Sequence, residues 1–490
     1  MRVEMTTPTV IVIGGGMAGL TAAALLARRG FRVTLVEKER QPGGYVTGFM
    51  RAGHTFDSCC AFLSACTPGG AFHALLAELG LADELEFLPI GQVRNAYPDF
   101  VLDVNYTSPS AHLDAMVSAF PEHANQLNSY AGFTAKMGRE ILDFDDAPLW
   151  KKLLMPVLFP TMFRCARLSH GQVLSKFFDD PRIVQGLSAL PSTLPPSRLS
   201  YAFVGVLWSK VLDGGVFYPK GGMASISSAL VRSIKQNGGQ VLTAAEVESI
   251  KINEDRICEV ELSNGETIAA DWFVGAANPY HLQKRIEPSG SLYNNRFDLA
   301  RYTPSGSAAL YYCSVPDSAI PADWPYFVSI HTGRDPEATG TPANRHIVVT
   351  TPTLLDPTMA PAGSHSLKVM VHLPGADKFA NEYPDVESRE RFRREIFAAV
   401  AAAGGPDLDA HGQLLEKAMP ETLERITANE HGAMYGLDAA VGQVGPWRPP
   451  ITTRLDNLFW CGHYVRPSHG IVGSALSGKF AADTIARKTA

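Results

Sequence analysis

The residues best suited to chemistry lie near the two ends of the chain. Gly14, Gly16 and Gly19 form G-x-G-x-x-G directly after the β-branched run Val10–Ile13, with Met17 and Ala18 enclosed between the glycines. That spacing allows a tight turn, a close approach of backbone to a pyrophosphate, and close helix–strand packing. Glu37, followed by Lys38, lies about 20 residues further on, where a carboxylate accepts ribose hydroxyls and disfavours a 2′-phosphate. Gly43-Gly44-Tyr45 comes next. The far end carries Gly462-His463, then Pro467-Ser468-His469-Gly470-Ile471-Val472, then Gly473-Ser-Ala-Leu-Ser-Gly478. His469 has two readings: a general base or substrate-steering group, and a hydrogen-bonded structural histidine. The closing glycines likewise read either as a cap over a ligand or as close helix packing.

These residues need elements to hold them. Val10–Ile13 reads as a strand buried on both faces, Leu20–Arg29 as the following helix and Phe31–Val36 as a second strand. The helix N-terminus turns free N–H groups and a positive dipole end toward phosphate. A second block begins at Gly214-Gly-Val-Phe-Tyr-Pro-Lys-Gly-Gly222 and continues into a helix over Ala224–Gln236, closed by Gly238-Gly239. Strands are expected over Val241–Ala244 and Glu246–Asn253, with Arg256–Ser263 and Glu266–Ala270 paired around Asn264-Gly265. Trp272–Asn278 is a further buried strand ending in small residues, and a last helix is expected to start near Val472. Residues 10–27 are uncharged and mostly apolar, yet the glycine triplet inside them argues for strand–turn–helix rather than a membrane span or signal peptide.

Composition sets the outer limits. The 490 residues suffice for two or three domains, and the formal net charge of −6 without a basic cluster argues against nucleic-acid binding. Seven scattered cysteines without C-x-x-C point to free thiols in a reducing, cytoplasmic compartment rather than a disulfide framework or a metal site. Adjacent Cys59-Cys60 has a redox reading, although small buried residues are the commoner use. One stretch stands apart: within Trp150–Leu168 large apolar side chains sit between Lys151, Lys152 at one end and Arg164, Arg167 at the other. It reads either as a peripheral membrane contact meeting anionic headgroups, or as a core or lid segment of a substrate cavity.

A dinucleotide site completed by the opposite terminus is typical of FAD enzymes of the glutathione-reductase-like fold. Glu421-Thr-Leu-Glu, Gly432-Ala-Met-Tyr-Gly436, Trp447-Arg448-Pro449 and the closing Gly-His…Pro…Gly-Ile…Gly-Ser-Ala-Leu-Ser-Gly run follow in order. With the N-terminus they resemble the phytoene desaturase, carotenoid isomerase and retinol saturase family, most strongly over residues 8–70, 215–280 and 420–490. The resemblance implies an α/β FAD-binding Rossmann domain with an interleaved α+β substrate domain. Its segments are FAD-binding at 1–75, 214–290 and 431–490, and substrate-binding at 76–213 and 291–430. It further implies that Val247 meets the adenine, that Ala276 lines the nucleotide, that Gly462 and His463 lie by the phosphate and ribityl part, and that Gly470, Ile471 and Val472 cap the flavin. Two departures stand out: Tyr45 after Gly-Gly, and Ser468-His469 where relatives carry glycine. Both Tyr45 and His469 are candidate catalytic residues on that account.

The implied chemistry is redox work on carbon–carbon bonds of a hydrophobic polyene or isoprenoid-like small molecule. A desaturase-type dehydrogenase passing hydride to flavin N5 is the leading expectation, with cis–trans isomerisation or C=C saturation as alternatives. An amine oxidase, and a prenyl-binding protein similar in fold to GDP-dissociation inhibitors, are the remaining readings.

Overall fold

The computed structural model describes residues 7–106, 110–145, 147–188, 194–211, 215–287 and 299–489. A five-stranded parallel sheet runs in the order Gln240–Leu242, Arg32–Val36, Thr9–Ile13, Trp272–Gly275, Leu458–Trp460. Its strands therefore come from near the start, the middle and near the end of the chain. Strand alternation sorts their side chains. Val10, Val12, Val33 and Leu35 pack with the helices Met17–Arg28, Ala224–Gln236 and Gly470–Thr489. Ile11, Ile13 and Val36 pack on the other face with Val247, Ile250 and Val260. Those belong to a four-stranded sheet of Thr267–Ala269, Arg256–Leu262, Val247–Asn253 and Ile286–Glu287. Helices, parallel sheet and a second sheet form three layers.

Several boundaries differ from expectation, each for a local reason. The first helix starts at Met17 rather than Leu20, because extended Gly16 serves as its N-cap. The N–H groups of Met17 and Ala18 consequently belong to its open first turn. The strand expected over Val241–Ala244 is Gln240–Leu242, since Ala244 takes a left-handed φ of 53° and bonds Glu39 instead. Trp272–Asn278 leaves the sheet after Gly275, and Asn278 caps the short helix Pro279–Gln283. The last helix begins at Gly470, two residues before Val472.

The other large layer is a mixed seven-stranded sheet. Its order is Gln413–Ala418, Ser307–Pro316, Ser364–Leu373, His346–Thr350, Phe327–His331, Gln92–Ala96, Val101–Asn105. All neighbours are antiparallel except Phe327–His331 with Gln92–Ala96. Val328, Ile330, Ile347, Val349, Val369 and Val371 pack beneath Phe392, Ile396 and Val400 of the helix Val386–Ala402. The alternate residues Val348 and Met370 pack in a separate cluster with Phe56, Cys59 and Met434, on the opposite face of the sheet.

Of the expected domain boundaries, 213/214 and 290/291 lie outside the described residues. That at 75/76 falls inside the helix Ala71–Leu79, and that at 430/431 inside the turn Glu430–Gly432. Residues 10–27 form strand, turn and helix, and among the described residues no helix is long and apolar enough to cross a membrane.

Candidate dinucleotide and substrate site

One cavity of about 2030 Å³ lies between the parallel sheet and the seven-stranded sheet. Small-molecule sites usually occupy roughly 300–1,000 Å³. This one has room for a dinucleotide and a long substrate together. Gly14, Gly16, Met17, Ala18, Glu37, Lys38, Gly43, Gly44, Tyr45, Val247, Ala276, Gly462, His463, His469, Gly470, Ile471 and Val472 all border it. Gly19 does not. A Cβ there would stand 2.0 Å from the Gly14 carbonyl oxygen and 2.9 Å from the Ala276 side chain, so Gly19 closes helix against strand and lies behind the wall.

The cradle is shaped by backbone. Gly14 holds φ +105°, and a Cβ there would meet Ala277 N at 2.8 Å. Gly16 is the opposite case: apart from its own chain neighbours, nothing in the protein lies within 4 Å of where its Cβ would stand. Space of this kind, beside the open first turn of a helix, fits a phosphate that approaches the main chain. Both carboxylate oxygens of Glu37 already accept backbone donors, Gly15 N–H at 2.6 Å and Glu39 N–H at 2.8 Å. Burial raises its pKa and those two donors oppose the rise. Each oxygen keeps a further lone pair for a hydroxyl. Lys38 is tied away, its Nζ donating to the Arg425 carbonyl at 2.8 Å. Val247 reaches the cavity from the second sheet, and the Arg285 guanidinium bonds its carbonyl and Glu246.

The C-terminal cap is braced by a buried cation. Arg448 donates to Val465 O at 3.1 Å, to Gln443 O at 3.2 Å and to His463 O, holding the turn that presents His463. Burial lowers Arg448 to about 10. Nearby Asp438 is raised to about 6 by burial, opposed by Arg198 at 2.9 Å. Gly462 N–H donates to Ser477 Oγ at 3.0 Å and fixes the turn to the last helix. That helix combines both readings of its glycine motif. Gly478 sits where a Cβ would be 2.1 Å from Ala18 O, a close helix contact, whereas Gly470–Ser474 border the cavity.

Tyr45 and His469 both reach this space. The Tyr45 hydroxyl donates to Ala433 O at 3.0 Å and receives Asn429 Nδ2 at 3.4 Å; burial raises its pKa. It remains a neutral phenol tied to the 427–433 segment. The His469 ring packs at 5.0 Å from Phe203 and 5.2 Å from Tyr435, with Nδ1 lacking a protein partner. Burial, with Arg448 and His463 nearby, lowers its pKa well below the ordinary value. The imidazole is neutral at pH 7, suited to hydrogen bonding and orientation more than to holding a proton.

Lys368, Asp57 and the polar residues of the seven-stranded sheet were not singled out from sequence. Lys368 donates to Cys59 O at 3.0 Å and Cys60 O at 2.7 Å beneath the loop that follows Tyr45. Buried Asp57 anchors the same region, accepting from Tyr218 Oη at 2.5 Å and Met223 N–H at 2.7 Å. Burial pushes the Cys59 thiol up to about 11 and the Cys60 thiol higher, which suppresses the thiolate that redox exchange requires. Asn95, Ser329, His346 and His372 border the cavity from the seven-stranded sheet. Their sequence separations carry no local signal; only strand register brings them together.

The family model for flavin containing amine oxidoreductases matches residues 17–486. The chain belongs to that family. It is 27% identical to the 4,4'-diapolycopene oxygenase of Methylomonas sp, with 97% of each chain covered. It is 26% identical to the zeta-carotene-forming phytoene desaturase of Myxococcus xanthus, over 97% of this chain and 93% of the relative. It is 23% identical to the chloroplastic prolycopene isomerase of Daucus carota, over 97% and 79%. Among solved structures, a putrescine oxidase superposes with TM-score 0.66 at 17% identity over 98% of this chain and 99% of that one. An oxidoreductase from Methanosarcina mazei superposes with TM-score 0.65 at 17% identity over 97% and 100%. The protein has the mixed α/β flavin amine oxidase fold, with a Rossmann-like parallel sheet and a mixed substrate sheet.

Proposed function

We propose that the protein is an FAD-dependent oxidoreductase that removes two hydrogens across a carbon–carbon bond of a hydrophobic, polyene-like substrate. The observation that carries this reading is the cavity. A backbone-built dinucleotide cradle opens into a chamber walled by Met162, Phe163, Phe203, Val206, Leu207, Phe327, Val348 and Met370. The carotenoid-acting relatives support it, since their similarity spans the whole chain.

Bound FAD would supply the two-electron acceptor. Gly14, Gly16 and the first turn at Met17-Ala18 would hold the pyrophosphate, and Glu37 the adenosine ribose. Val247 and Ala276 would line the nucleotide. Gly462, His463 and the helix N-terminus at Gly470-Ile471-Val472 would hold the flavin end, where the helix dipole stabilises negative charge. His469, between Phe203 and Tyr435, would orient the chain of the substrate, and Tyr45 would keep the 427–433 segment in place. The apolar walls exclude water, so the protein's part is positioning and desolvation.

Access to such a substrate favours a membrane surface. Leu149, Trp150, Leu153, Val157, Leu158 and Phe163 are exposed on the short helices Leu149–Leu153, Met155–Leu158 and Pro160–Cys165, and Leu154 is exposed at the turn between the first two. Met155, Met162, Phe163 and Arg167 of the same segment border the cavity. Both sequence readings find support in this segment: an apolar outer face flanked by Lys151, Lys152 and Arg164, and an inner face that borders the chamber. We assign it as the door through which an apolar substrate passes from an anionic bilayer.

Tyr45 and the isomerase relative favour cis–trans isomerisation as the second reading. Anaerobic incubation of the flavoprotein with candidate polyenes tests both, following flavin bleaching and product mass. Loss of two hydrogens with bleaching is the expected result. Unchanged mass with altered geometry would replace desaturation by isomerisation, and gain of hydrogens or oxygen would overturn the direction proposed.

A further inference from the structure

The cavity wall opposite the cradle is not uniformly apolar. A row of five rings crosses the seven-stranded sheet: Phe100, Tyr97, His331, His346, His372. Successive centroids lie 4.3, 5.1, 4.5 and 4.5 Å apart. Strand register builds it, since His331 pairs with His346 and the next strand brings His372 alongside. The three histidines are 4%, 5% and 4% exposed. Burial lowers His346 to about 4, and the other two well below their ordinary value, so all three are neutral imidazoles at pH 7.

Their hydrogen-bonding capacity is mostly unspent. Ser329 Oγ and His346 Nε2 are 2.9 Å apart. His346 Nδ1 and both ring nitrogens of His331 and His372 make no well-aligned hydrogen bond within the protein. The backbone of His346 lies close enough to His372 to favour its protonated form somewhat, against the larger effect of burial. Asn95 pairs with Ser329 across the adjacent strand and is 2% exposed. Of these residues Asn95, Ser329, His346 and His372 border the cavity. Buried polar atoms without partners destabilise a fold, and a wholly hydrocarbon occupant would leave them so. Among the described residues no histidine, cysteine or carboxylate cluster suits a metal, and stacked imidazoles do not converge their nitrogens on one point.

We propose that Asn95, Ser329, His346 and His372 form a recognition subsite for a neutral oxygen function, a hydroxyl or carbonyl, on an otherwise apolar substrate. The inference rests on the polyene-type reading above and narrows it to oxygenated members of that class. Neutral imidazoles both donate and accept, which suits an alcohol or an aldehyde. A carboxylate would want a cation, and the buried ammonium of Lys368 on the same strand is committed to the Cys59 and Cys60 carbonyls. An ammonium substrate would want a carboxylate, whereas the acids on the cavity wall, Glu37, Glu39, Glu246 and Asp438, belong to the cradle and the C-terminal cap.

The test compares three probes on the anaerobic flavoprotein: a linear polyene with a terminal aldehyde, the matching terminal alcohol, and the matching hydrocarbon. Dissociation constants are read from perturbation of the flavin spectrum. The oxygenated probes should bind about tenfold or more tightly than the hydrocarbon. In H346F/H372F, which keeps the ring stack, that ratio should fall to about one with hydrocarbon affinity preserved. In H372Q, which keeps a donor and an acceptor without the ring, preference should persist. Flavin content and thermal unfolding of each variant verify the fold. Equal binding of all three probes by the unaltered protein, or an unchanged preference in H346F/H372F, overturns the subsite alone. Failure of every probe to bind removes the polyene reading and the subsite with it.

Discussion

The two walls of the cavity are made differently. The cradle is written in main chain: glycines, an open helix turn and one carboxylate, with side chains mostly absent where a ligand would lie. The opposite wall is written in side chains projecting from a sheet, where Met370 and His372 alternate with residues of the buried core. Local spacing suffices for the first kind of surface, because G-x-G-x-x-G acts through its own turn. The second exists only once distant strands align. The proposed cofactor cradle and the proposed substrate subsite thus rest on separate kinds of structure.

The strongest way to break that contrast is to put a side chain into the cradle. Gly16 has φ −71° and ψ 178°, open to any residue, and free space beyond it. G16V should therefore fold normally and copurify with less than about a tenth of the flavin of the unaltered protein. G19V, driven into the Gly14 carbonyl, should instead lose stability. Full flavin content in folded G16V, measured by visible absorbance and circular dichroism, would contradict a backbone-built cradle.

Where the two walls meet, H469A should retain flavin and, through loss of substrate orientation, lose on the order of 100-fold in turnover. Unchanged steady-state rates would reduce His469 to packing between Phe203 and Tyr435.

Acid sharpens the side-chain wall. His331, His346, His372, His463 and His469 all have folded pKa values depressed by burial. On acidification the unfolded chain takes up protons first, near 6.5, while the folded groups hold out to about 4 for His346 and about 3 for His463. Stability is therefore highest above that upper value and falls as pH drops toward the folded values. Each histidine contributes about 1.4 kcal/mol per pH unit in its window. Urea unfolding of H346F/H372F should show a shallower loss between neutral and mildly acidic pH; a slope matching the unaltered protein would place the acid sensitivity elsewhere.

The proposed entry segment lies outside both of these walls, and its alteration should leave them intact. L153E/V157E should weaken cosedimentation with anionic vesicles about tenfold or more, leaving flavin content unchanged. Equal binding by this pair and the unaltered chain would leave the segment as a cavity wall only.

Legibility followed the same division. The first strand, the helix over Ala224–Gln236 and the hairpin at Asn264-Gly265 were readable because their signals are local and periodic. The start of the first helix was misplaced because an extended glycine cap leaves no side-chain signature. Gly19 was legible as part of the motif, but its place behind the wall depends on Ala276, more than two hundred residues away. Arg448 was visible in Trp-Arg-Pro, though nothing local showed a buried guanidinium bonding three carbonyls.

By itself the sequence determined the dinucleotide fingerprint, the membership of distant ends in one site, and the two altered positions at Tyr45 and Ser468-His469. The fingerprint follows from turn and helix-end chemistry acting over a few residues, whereas the joining of the ends and the two departures follow from the family resemblance. Only the tertiary structure decided that Tyr45 is tied to Ala433, that His469 stands neutral between two aromatic rings, and that three histidines from three strands form one polar row. Burial sets their protonation, and strand register sets their neighbours; neither is a property of any short stretch of chain.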